Sequence, residues 1–308
     1  MKKKVTKEKL LAKANEPKMF AMKYHPFYRG KIGIELKAPV RTYKDFAIWY
    51  TPGVAEPCLD IQKDESKAYE HTNKGNFVAV VSDGTRVLGL GNIGPQAALP
   101  VMEGKAMLFK YLGGVDAFPI CLNTKNPEEI ITAVKWLAPT FGGVNLEDIA
   151  KPKCFYILER LQKELDIPVW HDDQQGTALV TLAGLLSALK VVNKKLEDVS
   201  IAFIGAGAAN MNCAKYIMLG GADPERMIMV DSKGILHRGR TELKKESTKW
   251  NICEKTNKKA RTGGIKEALE KTDVCVALSR PGPGVIKKEW IADMAKNAIV
   301  FICANPIP

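Results

Sequence analysis

From Phe77 onward, short apolar runs alternate with amphipathic stretches of about three turns, separated by Gly, Pro, Asn and Asp. Residues 77–81 and 86–90 are apolar runs around Asp83-Gly84-Thr85, a spacing that predicts a hairpin. Residues 97–111 predict a helix and 115–122 a strand. Asn126 is a helix cap, with Pro127 at the first helical position and Glu128 and Glu129 in the first turn. A short strand over 143–146, a helix over 152–166 and a strand over 167–170 follow. Strands alternating with helices of this length need crossover connections, and those predict a parallel sheet. A long helix over 177–192 then opens a second set: strand 199–204, helix 208–219, strand 226–230, a helix near 265–270, strand 273–278, helix 288–295 and strand 298–303. The domain boundary falls near His171, giving domains over 1–171 and 172–308. The first forty or so residues are basic and Pro/Gly-punctuated with no strong period, and read as an arm or a helical preface. The chain stops at Pro308 straight after a strand that reads as buried, an odd place for a domain to end.

Composition changes this picture little. A chain of 308 residues accommodates two domains, and 46% hydrophobic content fills their cores. The net charge of +12 fits nucleic-acid or membrane-surface binding, or attraction of anionic small molecules. The lysines are scattered, however, and only Lys2 to Lys4 and a thin spread over 244–259 approach a cluster. With no zinc-finger spacing and no aromatic-basic string, solvated lysine faces account for the charge better than a nucleic-acid partner does. Seven cysteines without a C-x-x-C pair read as reduced, buried thiols in a cytoplasm. The uncharged run over 174–189 is too short to span a bilayer comfortably. The basic N-terminus has no apolar segment behind it, so a soluble, cytoplasmic protein without a membrane partner is expected.

Candidate chemistry lies at the strand ends. The strand over 199–204 runs directly into Gly205-Ala206-Gly207, and Ala208 and Ala209 open the next helix. Glycines there let the backbone approach a pyrophosphate at the positive helix end. Asp231 ends the next strand about 24 residues on, where a carboxylate accepts ribose hydroxyls. It would also crowd a 2′-phosphate, which favours NAD over NADP, although Lys233 works the other way. The third fingerprint position carries Asn210, a side chain that must fit where helix and strand pack, setting the helix slightly off.

Glu147-Asp148 and Asp172-Asp173 each follow a strand and emerge at the carboxyl edge of a parallel sheet. Such carboxylates either gather a hard cation, Mg²⁺ or Mn²⁺, or simply begin a turn and cap a helix. Lys105 shares a helical face with Val101, Leu108 and Phe109, a stripe expected to face the core. A lysine so placed is either a general base with a lowered pKa or a packed stem whose amine reaches water. Arg86 offers a carboxylate fork or a surface ion pair. Tyr50, taken alone, reads as packing.

Several motifs in one order resemble the malic enzyme family, in its shorter prokaryotic form. They are Tyr50-Thr51-Pro52-Gly53-Val54-Ala55, Ser82-Asp83-Gly84-Thr85-Arg86 followed by Leu88-Gly89-Leu90-Gly91-Asn92, residues 100–105, Asn145-Leu146-Glu147-Asp148-Ile149, and His171-Asp172-Asp173-Gln174-Gln175-Gly176-Thr177. The resemblance covers residues 50–308 or so. It implies an α/β protein of two domains: an N-terminal substrate and metal domain with a parallel sheet, and a C-terminal Rossmann-type dinucleotide-binding domain. It implies oxidative decarboxylation of malate to pyruvate and CO₂ with NAD, or NADP, and Mg²⁺ or Mn²⁺. Glu147, Asp148 and Asp173 match the metal ligands, with Asp172 as their neighbour. Lys105 matches the general base for the C2 hydroxyl, and Tyr50 the acid that protonates C3 after CO₂ departs. Arg86 matches the residue that holds the substrate carboxylate, and Asn305 an asparagine that contacts substrate or nicotinamide. A homodimer is implied as well. The family continues past the position of Pro308 with a segment that supplies a second active-site asparagine, so a catalytically silent, truncated dinucleotide-binding relative is the alternative expectation.

Overall fold

Strands form where apolar residues run together for four to six positions, and helices where they recur every third or fourth. In the computed structural model, which describes residues 7–303 apart from 246, 281 and 283, these elements sort into two units, Met1–Trp170 and His171–Pro308.

The first unit opens with α1 (Lys7–Tyr28) and the short helices α2 (Phe46–Trp49), α3 (Ala55–Lys63) and α4 (Ala68–His71). Then come β1 (Phe77–Ser82), α5 (Pro95–Gly113), β2 (Asp116–Cys121), α6 (Pro127–Leu137), β3 (Gly143–Leu146), α7 (Lys153–Glu164) and β4 (Val169–His171). The sheet order is β2-β1-β3-β4, and β1 pairs parallel with both β2 and β3. The predicted hairpin therefore does not form: β1 has both edges taken by parallel neighbours, and residues 86–90 have none left to pair with. Val87 alone is buried among them, bridging Gly91, while Leu88 and Leu90 are 56% and 69% exposed. Asn126 caps α6 as its spacing predicts, its side-chain oxygen accepting from the Glu128 N–H at 3.0 Å. The core lies between the sheet and α6 and α7, where Ala79, Val81, Ile130, Ile157 and Leu161 pack together. On α1, by contrast, Met19, Met22, Phe27 and Tyr28 are all exposed.

The second unit holds α8 (Thr177–Val192), β5 (Ile201–Ile204), α9 (Ala208–Leu219), β6 (Met227–Asp231), β7 (Gly234–Ile235), α10 (Ser247–Lys255), α11 (Ile265–Leu269), β8 (Val274–Ala277), α12 (Lys288–Ala292) and β9 (Ile299–Ile302). Its sheet runs β7-β6-β5-β8-β9, parallel except for the short edge strand β7. All four residues of β5 are buried because alternate side chains serve two cores. Ile201 and Phe203 pack with α8 and α9, while Ala202 and Ile204 pack with α11 and Met294. The stretch Asp172–Val192 is 21 residues, long and apolar enough to cross a membrane by length and composition alone, and so longer than the 174–189 run suggests. Ala178, Leu185 and Leu189 on it belong to the second unit's core, which gives its apolar character a packing role.

The cysteines divide by depth. Cys154, Cys213, Cys253 and Cys275 are buried as expected, but Cys58 and Cys303 are exposed. Burial pushes the Cys213 thiol up to about 11 and the Cys275 thiol up to about 12, so neither forms the reactive thiolate near neutrality. Alkylation of the folded chain at pH 8 should label Cys58 promptly and leave Cys213 and Cys275 unmodified until denaturant is added. Peptide mapping checks this, and prompt labelling of Cys275 would contradict the buried β8 position.

Candidate active site

In the first unit, β3 delivers two carboxylates. The Glu147 N–H donates to the Val81 carbonyl at 2.9 Å, extending the β1–β3 ladder by one step. Asp148 then turns left-handed, with φ of 54°. Both residues are 5% exposed. The Asn145 amide donates to Glu147 Oε2 at 2.8 Å, and Lys105 Nζ lies 3.2 Å from Glu147 Oε1. The Arg86 N–H donates to the Asp148 carbonyl at 2.9 Å.

The Lys105 contact corrects the expected stripe on α5. The buried positions are Ala98, Met102 and Ala106, an i, i+4, i+8 row. Lys105 flanks that row, and Leu108 is 46% exposed. That row packs Met102 between two alanines as the buried edge of α5, and Lys105, beside it, reaches the acid at the tip of β3. Neither open reading of Lys105 anticipated this partner. Tyr50, at the C-terminal end of α2, is 71% exposed. The Arg86 side chain is exposed too, with its guanidinium donating to the Leu88 carbonyl.

The second unit begins with the last residue of β4 and a π-helical turn, Asp172–Gly176, that leads into α8. The acids do not cap that helix, whose N-cap is Gly176. A Cβ at Gly176 would come 2.3 Å from Asp172 Oδ1, so glycine lets the carboxylate fold over the turn. The His171 N–H donates to Gln175 Oε1 at 3.0 Å, and Asp172 and Asp173 are half-buried. Such π turns occur frequently at functional sites.

No group of three or more His, Cys, Asp or Glu poised to hold a metal ion is assembled among the described residues. The Glu147–Asp148 pair nevertheless has the chemistry a hard divalent cation takes, being all oxygen, anionic and buried.

The dinucleotide fingerprint folds as its spacing requires. Gly205 has φ of 106°, and a Cβ there would meet the Leu278 carbonyl at 2.8 Å. Its N–H donates to the Val230 carbonyl at 2.8 Å, fastening the turn to β6. Gly207 is the N-cap of α9, and a Cβ there would enter open space. That space lies beside the first N–H groups of α9, where Ala208 and Ala209 add only methyl groups. Asn210 does not hold the helix off. It is fully buried, and its amide donates to the carbonyls of Ile204 at 3.0 Å and Gly205 at 2.8 Å, tying α9 to the end of β5.

Asp231 is not the lone acid that spacing suggested. Arg240 grips it through two bonds, Nη1 to Oδ1 at 2.8 Å and Nη2 to Oδ2 at 3.1 Å. Lys249 stands 3.5 Å away, and the Lys233 N–H donates at 2.9 Å. Burial works against ionisation, but the Arg240 bonds, the Lys233 backbone N–H and the charges of Arg240 and Lys249 outweigh it and hold the carboxyl below its usual range. Much of the repulsion toward a 2′-phosphate is thereby cancelled. Arg240 carries no spacing signal in the sequence. Asn305 lies outside the described residues.

Residues 29–162 match the family described as malic enzyme, N-terminal domain, and residues 174–308 match malic enzyme, NAD binding domain. The chain is 53% identical over 280 residues to the NAD-dependent malic enzyme of Geobacillus stearothermophilus, spanning 91% of this chain and 57% of that protein. It is 50% identical over 292 residues to the bifunctional malic/malolactic enzyme of Bacillus subtilis, spanning 94% and 69%. The crystal structure of Entamoeba histolytica malic enzyme superposes with a TM-score of 0.94 at 48% identity, covering all of this chain and 65% of that one. That of Pyrococcus horikoshii malic enzyme gives 0.87 at 54% identity, covering 91% and 65%. The chain thus spans less than two thirds of the length of three of these four relatives. With both of its halves matched in order, and half of its residues shared with a relative it spans by 69%, the chain belongs to the malic enzyme family.

Proposed function

We propose that this chain oxidatively decarboxylates malate to pyruvate and CO₂, reducing NAD or NADP with Mg²⁺ or Mn²⁺. The observation that carries the reading is the 3.2 Å contact between Lys105 and Glu147, a lysine delivered to a buried acid at a strand tip. The first unit is the substrate and metal domain, and the second a Rossmann-type dinucleotide-binding domain. Glu147 and Asp148 hold the cation, with Asp173 as the further ligand that the family resemblance implies. When bound, the cation supplies a Lewis acid for the substrate oxygens and the nicotinamide supplies the hydride acceptor.

Lys105 takes the proton from the C2 hydroxyl, and its contact with Glu147 orients the amine for that transfer. Tyr50 returns a proton to C3 once CO₂ has left. Arg86 binds the substrate carboxylate as a fork, for which its exposed guanidinium has donors to offer. The backbone from Gly205 to Ala209 receives the pyrophosphate, and Asp231 accepts the ribose hydroxyls while keeping its Arg240 pair. That pair admits both cofactors, a broader reading than Asp231 alone supports. Asn305 contacts substrate or nicotinamide by resemblance. The chain acts in the cytoplasm as a homodimer, a reading supported by the apolar side chains exposed on α1. Neither nucleic acid nor membrane is part of it.

A steady-state assay with malate, both cofactors and both metals tests this. Reduced cofactor and pyruvate should appear in equal amounts, and only with divalent metal present. Oxaloacetate accumulating without pyruvate would make the chain a plain hydroxy-acid dehydrogenase. Dinucleotide binding without turnover in any metal would leave a catalytically silent relative. A finer test is Tyr50→Phe, which should slow oxaloacetate decarboxylation more than hydride transfer. Equal losses in the two partial reactions would reduce Tyr50 to a substrate-positioning group.

A further inference from the structure

The turn after β1 contains a buried acid that the chemistry above does not use. The Asp83 side chain is fully buried, although a charge there is costly unless it is paired. Lys153, at the first position of α7, pairs with Asp83 Oδ2 and also donates to the Lys125 carbonyl at 3.2 Å. Asp83 Oδ1 accepts from the Thr85 N–H at 3.1 Å and from the Thr85 hydroxyl at 2.6 Å. With its proton committed to Asp83, the Thr85 oxygen accepts from the Ala150 N–H at 2.9 Å. The same turn supplies the Arg86 N–H that binds the Asp148 carbonyl at 2.9 Å.

The segment carrying the two carboxylates is thus held at three successive points. Glu147 is fastened by its N–H to Val81, Asp148 by its carbonyl to Arg86, and Ala150 by its N–H to Thr85. Between the first and last of these, Asp148 adopts its left-handed φ of 54°. Side chains other than glycine keep that conformation where the surroundings over-determine it. The Lys153–Asp83 pair closes the arrangement from the far side, joining the start of α7 to the turn that holds the loop.

We propose that Thr85 and Lys153, acting through Asp83, are positioning residues that set the Glu147–Asp148 turn and thereby its affinity for a divalent cation. The inference rests on the reading of Glu147 and Asp148 as metal ligands. Outer partners of metal ligands act by fixing ligand orientation, and their loss weakens binding about ten- to hundredfold.

The test is direct Mn²⁺ binding to the full chain, followed by the electron paramagnetic resonance signal of the free ion, with circular dichroism as a check on folding. Thr85→Val keeps the shape of the side chain but loses both hydroxyl bonds, and Lys153→Met keeps the stem but loses the charge. Each should weaken Mn²⁺ binding about ten- to hundredfold with NAD affinity unchanged, while Thr85→Ser, which keeps the hydroxyl, stays near the parent. Saturating Mn²⁺ should also return turnover of Thr85→Val toward the parent rate, which a general loss of packing would not allow. Folded Thr85→Val and Lys153→Met variants that bind Mn²⁺ within about twofold of the parent would overturn the proposal. If one variant fails to fold, the other decides. If both fail, the contacts are supports of the unit, and the positioning role is likewise overturned. Glu147→Gln separates the two layers of argument. Loss of Mn²⁺ binding in Glu147→Gln with normal binding in Thr85→Val removes the positioning role alone, whereas parent-like binding in Glu147→Gln removes the ligand reading and this inference with it.

Discussion

Lys105→Ala should abolish malate oxidation and leave NAD affinity close to that of the parent chain. A positioned general base contributes typically 10²- to 10⁴-fold, so a residual rate lower by about that factor is expected. The amine does more than carry a proton. At 3.2 Å from Glu147 Oε1 it is also one of the groups that neutralise a carboxylate with only 7% side-chain exposure. Removing one partner of a buried pair costs about 3 kcal/mol at the lower end of the range, apt here because the Lys105 side chain keeps 21% exposure. The variant should therefore melt earlier than the parent, and added Mn²⁺ should recover much of the difference by supplying positive charge at Glu147. Lys105→Arg divides the two roles. It keeps the charge, and hence most of the stability, but its guanidinium does not release a proton at working pH. Turnover should stay as low in Lys105→Arg as in Lys105→Ala. A Lys105→Arg variant oxidising malate at a comparable rate to the parent would reduce Lys105 to an electrostatic partner of Glu147.

Substitutions at the two glycines of the dinucleotide turn should fail for different reasons. Gly205→Ala places a methyl group 2.8 Å from the Leu278 carbonyl and 3.2 Å from Ser279 Cα, and its φ of 106° is strained for any L side chain. Strain of this kind costs about 1–3 kcal/mol before the clash is counted. Because backbone atoms rather than a flexible side chain stand in the way, the turn itself must shift. Lower thermal stability and lost NAD binding should appear together. Gly207→Ala has an extended φ of −88° and open space around the added carbon. Its melting temperature should match the parent, and NAD binding alone should weaken, because the methyl group occupies room a pyrophosphate needs beside the first turn of α9. Calorimetric binding and thermal melts on both variants check this. A Gly207→Ala chain with parent-like NAD affinity would mean that the dinucleotide does not lie against this turn.

The elements that sequence settled are those whose signal is local. Asn126 and Pro127 mark the start of α6, β3 occupies residues 143–146, and α8 occupies residues 177–192, each where the pattern puts it. Their capping groups, breakers and apolar periods all lie within a dozen or so residues, so nothing distant needs to be known. The glycine turn was legible for the same reason, since strand, Gly205-Ala206-Gly207 and helix are contiguous. What failed depended on partners. Residues 86–90 have the composition of a strand, but β2 and β3 already occupy the edges of β1. The core row on α5 lies one position from the expected stripe, because packing of the folded unit buries Ala98, Met102 and Ala106 and leaves Leu108 outside.

The site divides in the same way. Carboxylates at strand tips and an acid ending β6 could be located from the sequence, because a strand's end fixes where its next residues emerge. Only tertiary structure decided which charges meet: Lys105 with Glu147, Arg240 with Asp231, and Lys153 with Asp83, pairs separated by 42, 9 and 70 residues. No period or motif encodes such a pairing. It follows from packing helices onto sheets and from the cost of burying a charge without its counterpart.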